Sequence, residues 1–412
     1  MKQFILFITL YVLSVAQPLL AERADSIMMR FVREEGLIEY STNDYQLFKD
    51  GTSTFNSLFR DIDQAQSKVW IEFMIVANDS IGSALIDHLS AAARRGCDVR
   101  LIVDDYKDFE RGFGYRTKNG HKAIRAKGID LVLFDRFRFP WLNHVCRDHR
   151  KIVVIDDRIG YIGGLNVADY YVNGNPKYGA WRDTHVRLSG SSVEGLAILF
   201  DQHYNRYGGE KDYSFTPDSS YYISTDKDKV VYFERSRTTS RLKSQTRRAI
   251  IAALDAARDT VRIVSPYFLP THTVRQAIIR TLDRGVYVEI LFSKVGDNPM
   301  LSYGNMNFAR RLVRHGAHVY LYRGAFHHSK IMMVDGQFAM IGSANLNSRS
   351  LKWDYEASCF MFSSDATRQL ESIFTEDKKQ CDSFSKSYYR SEFSFGQRTA
   401  GWLIDRFMTP IL

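Results

Sequence analysis

One order of elements occurs twice along the chain, and this repeat restricts the fold more than any other feature. In the first copy, β-branched and aromatic residues predict a strand over 69–75. A helix over about 82–95 follows, with Leu85, Leu89 and Ala92 at helical spacing, then a strand over 97–104, a helix near 117–126 and a strand over 129–134. The second copy predicts a strand over 261–268, a helix over about 273–284, a strand over 286–292, a helix around 305–315 and a strand over 318–322. Both copies carry the same helix-to-strand joint, "AAARRGCDVRLIVDD" and "RTLDRGVYVEILFS", with a glycine where the helix stops. A β-α-β-α-β order with short connections calls for a layered α/β fold with a mixed sheet. Its recurrence predicts a duplicated domain, with the two halves meeting at one active site. The 412 residues are too many for a single ordinary core, which agrees with two units. The expected boundaries are 36–187 for the first unit, 188–245 for a connecting segment, 246–380 for the second unit and 381–412 for a C-terminal tail.

Each copy ends in the same chemical pattern. His149-Arg150-Lys151 with Asp156, and His328-Ser329-Lys330 with Asp335, both read H-x-K-x4-D. Each is followed by an apolar strand and a small-residue turn, Gly163-Gly164-Leu165-Asn166 and Gly342-Ser343-Ala344-Asn345. One such motif arises by chance in a chain this long at roughly the few-per-cent level, whereas two copies at equivalent places in a repeat form a specific signal. Alternate residues of a strand share a face, so His149 and Lys151 project together, as do His328 and Lys330. Two imidazoles, two ammonium groups and the amides of Asn166 and Asn345 would then surround one phosphoryl centre. That set suits two-step phosphoryl transfer: a neutral imidazole attacks phosphorus, a protonated one delivers its proton to the leaving alkoxide, and lysines and asparagines stabilise the oxygens. Each histidine needs a partner that fixes its tautomer, and Asp183 and Glu356, each shortly after its asparagine, are the candidates. Asp156 and Asp335 complete the motif with the catalytic set, but the buried run before them carries them off the His-Lys face and favours a structural role. The other histidines, His185, His203 and His327 among them, lack a matching companion and read as structural.

Charge and composition narrow the setting. Fifty-six basic against 47 acidic residues give a formal charge of +9, which favours an anionic partner. A chain 45% hydrophobic and 25% charged is folded rather than disordered. Cys97, Cys146, Cys359 and Cys381 lie far apart with no CxxC, which excludes a disulfide framework and a structural zinc site of the usual spacing. Residues 1–21, a positive start, an apolar run from Phe4 to Ala16 and small residues at Ser14 and Ala16, read as a signal peptide or a membrane anchor. The basic stretch Arg235, Arg237, Arg241, Lys243, Arg247 and Arg248 would attract anionic headgroups or form an exposed helix face. In the tail, Trp402, Leu403, Ile404, Phe407, Met408, Ile411 and Leu412 would form an amphipathic membrane contact or pack on the domain.

These motifs resemble the phospholipase D superfamily over nearly the whole chain after about residue 35. Within it, "SPYFLPTHTVRQAIIRTLDRGVYVEILFS", "HHSKIMMVDGQFAMIGSANLNSRSLKWDYEASCF" and "DHRKIVVIDDRIGYIGGLNVADYY" are similar to the bacterial cardiolipin synthase branch. The resemblance implies a duplicated phospholipase D-like α/β/α domain with mixed sheets. It implies that His149 and His328 serve as nucleophile and acid/base, with His149 the nucleophile, a choice the residues themselves leave open. Lys151, Lys330, Asn166 and Asn345 become phosphate-binding groups. The implied reaction passes the phosphatidyl group of one phosphatidylglycerol to another through a phosphohistidine, giving cardiolipin and glycerol, and no cofactor is expected. Hydrolysis of phospholipids to phosphatidic acid is the alternative, and phosphodiester cleavage in nucleic acid a more distant one. The expected partners are phosphatidylglycerol, other anionic phospholipids and the membrane surface, without nucleic acid, and the expected location is the bacterial cell membrane. The chain departs from the branch in having one apolar leader rather than two spans or none, and in Trp353-Asp354 before Tyr355-Glu356.

Overall fold

The computed structural model describes residues 22–105, 118–134, 146–175, 179, 181–208, 228–235, 244–294, 296, 298–324 and 326–409. The leader at 1–21 and residues 237–243 of the basic stretch lie outside the described residues. Among the described residues, no helix is long and apolar enough to cross a membrane.

Among the described residues the strands are, in chain order, β1 (Glu39–Ser41), β2 (Tyr45–Phe48), β3 (Lys68–Phe73), β4 (Asp98–Asp104), β5 (Asp130–Phe134), β6 (Lys151–Ile155), β7 (Ile159–Gly163), β8 (Trp181–Arg182), β9 (His185–Ser189), β10 (Lys229–Arg235), β11 (Thr260–Val264), β12 (Tyr287–Ser293), β13 (His318–Tyr322), β14 (Phe326–His327), β15 (Ile331–Val334), β16 (Phe338–Gly342), β17 (Glu356–Phe362) and β18 (Cys381–Phe384). Two large sheets result. The first runs β2-β9-β7-β6-β3-β4-β5 and the second β1-β10-β17-β16-β15-β11-β12-β13-β18. Six strands of each sheet repeat in the same order: β9-β7-β6-β3-β4-β5 corresponds to β17-β16-β15-β11-β12-β13. In both, the three strands that alternate with helices pair in parallel and the rest pair antiparallel. The duplicated mixed α/β fold expected from the repeat is therefore present.

The central strands are buried on both faces. Ile152, Val153, Val154 and Ile155 of β6 and Ile331, Met332, Met333 and Val334 of β15 are all buried. Such runs are apolar throughout because neither face meets water, and each side chain contributes about 1.5–3 kcal/mol. Three apolar layers result. The middle one lies between the sheets and includes Phe200 and Leu370, from the helices Ser192–Arg206 and Ser364–Lys378, together with residues of both sheets. The outer two hold the helices on the far side of each sheet.

Several expected boundaries move. The segment 188–245 is more than a connection: it supplies the helix Ser192–Arg206 to the middle layer and β10 to the second sheet. There β10 pairs with β1, so a strand from the first unit's range belongs to the second sheet. The tail begins as β18, the far edge strand of that sheet, and its helix Phe395–Leu403 packs on the helix Pro299–Val313. Close contact is needed there, because a Cβ on Gly401 would lie 2.5 Å from the carbonyl oxygen of Tyr303. Buried Asp405 then pairs with Arg275 and accepts from Asn307 Nδ2 at 2.7 Å. Of the basic stretch, Arg247 is buried and Arg248 pairs with Glu35.

Candidate active site

The two signature aspartates lie at the distal ends of β6 and β15 and do not reach the site. Asp156 (φ 53°) with Asp157 (φ 54°), and Asp335 (φ 52°) with Gly336 (φ 64°), form the left-handed corners of the two hairpins. The Asp156 carboxylate accepts from the backbone N–H of Gln66, Ser67 and Lys68 at 2.8, 2.7 and 2.9 Å. Asp335 accepts from Arg258, Asp259 and Thr260 at 2.8, 2.9 and 2.7 Å. Each clamps the entry to the neighbouring strand, so their inclusion with the catalytic residues is corrected: they are structural.

At the other end of these strands the halves meet. His149 and His328 stand in extended chain just before β6 and β15 rather than within them, and each is fixed by the opposite half. The His149 N–H donates to the carbonyl of Tyr355 at 2.9 Å, the residue before Glu356. The His328 N–H donates to the carbonyl of Arg182 at 2.6 Å, the residue before Asp183. The short parallel pair β8–β14 and the bridge Asp148–Tyr355 continue this backbone exchange. The imidazole–carboxylate pairs are consequently crossed. His149 Nδ1 lies 3.0 Å from Glu356 Oε2, and His328 Nδ1 lies 2.6 Å from Asp183 Oδ2.

His149 Nδ1 also lies 3.1 Å from the carbonyl oxygen of Ser343. A carbonyl only accepts, so Nδ1 carries the hydrogen and Nε2 keeps its lone pair. Burial, reinforced by the ammonium groups of Lys151 and Lys330, holds His149 well below the usual imidazole range. Burial and then Lys330 press His328 down to about 4. The carboxylates differ. Burial pushes Glu356 up to about 8 despite Lys151 and the Ser343 hydroxyl, which donates at 2.5 Å. Burial also opposes ionisation of Asp183, but Lys330 and His328 outweigh it and hold Asp183 below its usual value.

The lysines stand behind the histidines. Lys151 Nζ donates to the carbonyl of His149 at 2.7 Å, and Lys330 Nζ to that of His328, while lying 2.7 Å from His328 Nδ1. Both are fully buried, and burial brings Lys151 down to about 8. Both histidines and both asparagines line one cleft of about 330 Å³. Asn166 Nδ2 lies 3.2 Å from Tyr171 Oη, and the buried Oδ1 atoms of Asn166 and Asn345 have no partner. A tyrosine hydroxyl both donates and accepts, so the Asn166 amide can turn its NH₂ to the cleft without losing that bond.

Several site residues escaped the sequence reading. Met74, Ile75, Tyr171, Trp181, Tyr267 and Leu301 give the cleft an apolar and aromatic wall. The rings of Trp181 and Tyr171 stand 5.2 and 5.9 Å from that of His328. Trp181 stands two residues before Asp183, and Tyr171 closes the segment "NVADYY" that begins with Asn166, so proximity to motif residues is the available signal. Behind His149, Glu72, Asp148 and His203 are buried with potential ligand atoms within 4.8 Å of one another. Arg150, paired with Glu234 at 2.5 Å, supplies positive charge beside them. His203 thus belongs to a polar network rather than an ordinary core, and burial lowers it to about 3.

The family model described as cardiolipin synthase, phospholipase D-like domain, matches residues 58–179 and 250–378. A cardiolipin synthase of Oceanobacillus iheyensis is 29% identical over 401 residues, spanning 96% of this chain and 81% of that one. Cardiolipin synthase 2 of Staphylococcus epidermidis is 30% identical over 373 residues, spanning 90% and 75%. Among solved structures, phosphatidylserine synthase of Haemophilus influenzae superposes with a TM-score of 0.74 at 14% identity, over 93% of this chain and all of that one. This last likeness concerns the fold alone.

Proposed function

The chain belongs to the family of cardiolipin synthase, phospholipase D-like domains, and on that premise we propose that it passes the phosphatidyl group of one phosphatidylglycerol to a second, giving cardiolipin and glycerol. The observation that carries this reading is the crossed pair of imidazole–carboxylate couples lining one cleft, His149 with Glu356 and His328 with Asp183.

His149 attacks first. Its Nε2 lone pair forms the N–P bond while the bond from phosphorus to the glycerol oxygen breaks. The departing oxygen takes the proton of His328, whose imidazolium is supported by ionised Asp183. The substrate supplies the charge this needs: a phosphodiester anion between the imidazoles offsets Lys330 and raises His328 from its depressed value. His328, now neutral, accepts the proton of the second phosphatidylglycerol hydroxyl as that oxygen attacks phosphorus and the N–P bond breaks. Lys151, Lys330, Asn166 and Asn345 stabilise the non-bridging oxygens. The lysines reach them by releasing the carbonyls behind them.

The cleft wall supports a lipid over a nucleic acid. Its two arginines are already engaged, Arg349 with Asp354 at 2.8 Å and Arg147 with Asp104 at 2.8 Å, and beside the polar catalytic groups the wall carries Met74, Ile75, Trp181 and Leu301. Such a substrate places the enzyme at the surface of the bacterial cell membrane, with the leader as signal or anchor. Incubating the detergent-solubilised chain with labelled phosphatidylglycerol tests the reading. Cardiolipin with an equal amount of glycerol supports it, and phosphatidic acid as the only lipid product refutes it in favour of hydrolysis.

A further inference from the structure

A second cavity, of about 570 Å³, opens beside the helix Pro299–Val313. The first turn of that helix contributes Leu301 to the catalytic cleft, and its later turns contribute Asn307 and Arg310 to this cavity. From Leu301 to Arg310 the helix rises about 13 Å. The other wall comes from the tail, through the helices Lys386–Glu392 and Phe395–Leu403.

Five cations line the cavity, Arg310, Arg314, Lys386, Arg390 and Arg398, and among the described residues no carboxylate does. Arg398 donates to the carbonyls of Arg390 and Phe393 at 2.9 and 2.7 Å. Arg310 donates one Nη to Asn307 at 3.2 Å, while its buried Nε has no partner. Among the described residues, Arg314, Lys386 and Arg390 form no ion pair. Like charges gathered without an acid repel one another, and a tail fold that holds them together is suited to an anion, with arginine forks matching phosphate oxygens.

The rim of the cavity identifies the source of that phosphate. Large apolar side chains are exposed at few places among the described residues. Five of them, Phe395, Trp402, Leu403, Phe407 and Met408, lie within one stretch of fourteen residues, and Phe395 is 79% and Phe407 61% exposed. Phe395 and Trp402 also line the cavity, so the apolar rim and the cationic pocket are one surface. A site for free phosphate has no use for such a rim, whereas aromatic rings beside cations match the junction of headgroup and acyl chain.

We infer that this cavity binds the headgroup phosphate of an anionic phospholipid in the bilayer surface, with Trp402 and Phe407 seated among the lipids around it. The chain is thereby docked with its catalytic cleft beside the membrane. The inference rests on the phospholipid reading of the catalytic cleft and adds a separate, non-catalytic lipid site.

The test reads Trp402 directly, so membrane insertion by the leader does not obscure it. Full-length chain is mixed with vesicles of phosphatidylglycerol carrying brominated acyl chains, and Trp402 quenching is taken as the difference from Trp402→Phe. Quenching is expected with phosphatidylglycerol and largely absent with phosphatidylcholine. Arg314→Gln/Arg390→Gln removes two cations that form no ion pair among the described residues, and the anionic lipid needed for half-quenching should rise by about thirtyfold. Arg314→Lys/Arg390→Lys should restore most of it. His149→Ala, which ends transfer, should quench like the wild type, so failure of the catalytic reading and failure of this one are separate results. Equal quenching with both lipids, or an unchanged double Gln variant, overturns the inference. So does loss of quenching in millimolar inorganic phosphate, which would assign the cavity to the free anion.

Discussion

The two half-sites derive from one repeat, yet they hold their histidines by different means. In the first half Gly164 occupies the turn where the second half has Ser343, and the first half's carboxylate is Asp183 where the second half's is the longer Glu356. A Cβ on Gly164 would lie 2.3 Å from Asp183 Oδ1, so the short carboxylate packs directly on the glycine. Glu356 instead accepts from the Ser343 hydroxyl at 2.5 Å. The electrostatic outcomes diverge accordingly. Glu356, pushed by burial to about 8, keeps its proton at neutral pH beside His149, while Asp183, held low by Lys330 and His328 against the cost of burial, stays ionised beside His328. A neutral imidazole with a free Nε2 suits a nucleophile, and an imidazole facing a fixed negative charge suits a proton donor. In the proposed mechanism this divergence distinguishes two roles that the motif alone leaves interchangeable.

The largest test removes the imidazoles. His149→Ala and His328→Ala should each lower cardiolipin formation by about 10⁴-fold or more. A phosphatidyl ester of nitrophenol separates them, because nitrophenolate leaves without a proton. His328→Ala should release it in a burst, and His149→Ala should not. The reverse pattern would exchange the roles of the two halves. Next come the carboxylates. Asp183→Asn removes the charge that supports the His328 imidazolium and should lower kcat by about 10²–10³-fold. Glu356→Gln replaces a protonated carboxyl by another neutral group and should cost roughly tenfold, the worth of one imperfect hydrogen bond. Equal losses in kcat would abolish the distinction between the half-sites.

The turns give a smaller contrast, read as stability. Gly164→Ala forces its methyl into Asp183 and should lower the unfolding free energy by about 1–3 kcal/mol, as other overpacked sites do. Ser343→Ala, at the equivalent position, loses only the bond to Glu356 and should lower it by about 1 kcal/mol. Urea midpoints with unchanged slopes would measure both. If Gly164→Ala is the milder of the two, the close packing of Asp183 on the turn is not what holds it.

Much of this was legible in the sequence because it is local. The repeat, the order of its strands and helices, and the two His-x-Lys pairs lie in short windows with clear periodicity. The structural reading of Asp156 and Asp335 was legible too, since counting along β6 and β15 carries them away from the histidines. The crossing of His149 to Glu356 and His328 to Asp183 was not, because 207 residues separate one pair and 145 the other, and only the docking of the halves joins them. The polar, aromatic segment 188–245 gave no sign that β10 would add to the second sheet, where it is covered by β1 from the opposite end of the chain. The tail likewise reads as amphipathic, yet Asp405 inside it is buried against Arg275 and only one side of it faces outward.

The pH dependence of stability tests the contrast at its smallest scale. The Glu356 carboxyl is raised from 4.5 to about 8, so between these values the folded chain holds a proton that the unfolded chain has released. Unfolding free energy must therefore fall as pH rises across that window and level off above it. Lys151 acts in the opposite sense and in another range. Lowered from 10.5 to about 8, it has lost a proton above pH 8 that the unfolded chain still binds, so its contribution makes stability rise with pH there. Transfer, which in the proposed mechanism uses the Lys151 ammonium, should decline as pH passes about 8. Glu356→Gln removes only the first effect. Its melting temperature relative to the wild type should climb from about pH 5 to about pH 8 and stay level beyond, while Asp183→Asn, which replaces a carboxylate already ionised in the fold, should show no such climb. Thermal melts of the three proteins across this range decide the matter. Parallel Glu356→Gln and wild-type curves would mean that Glu356 is ionised like Asp183, and the two half-sites would then differ in shape but not in charge.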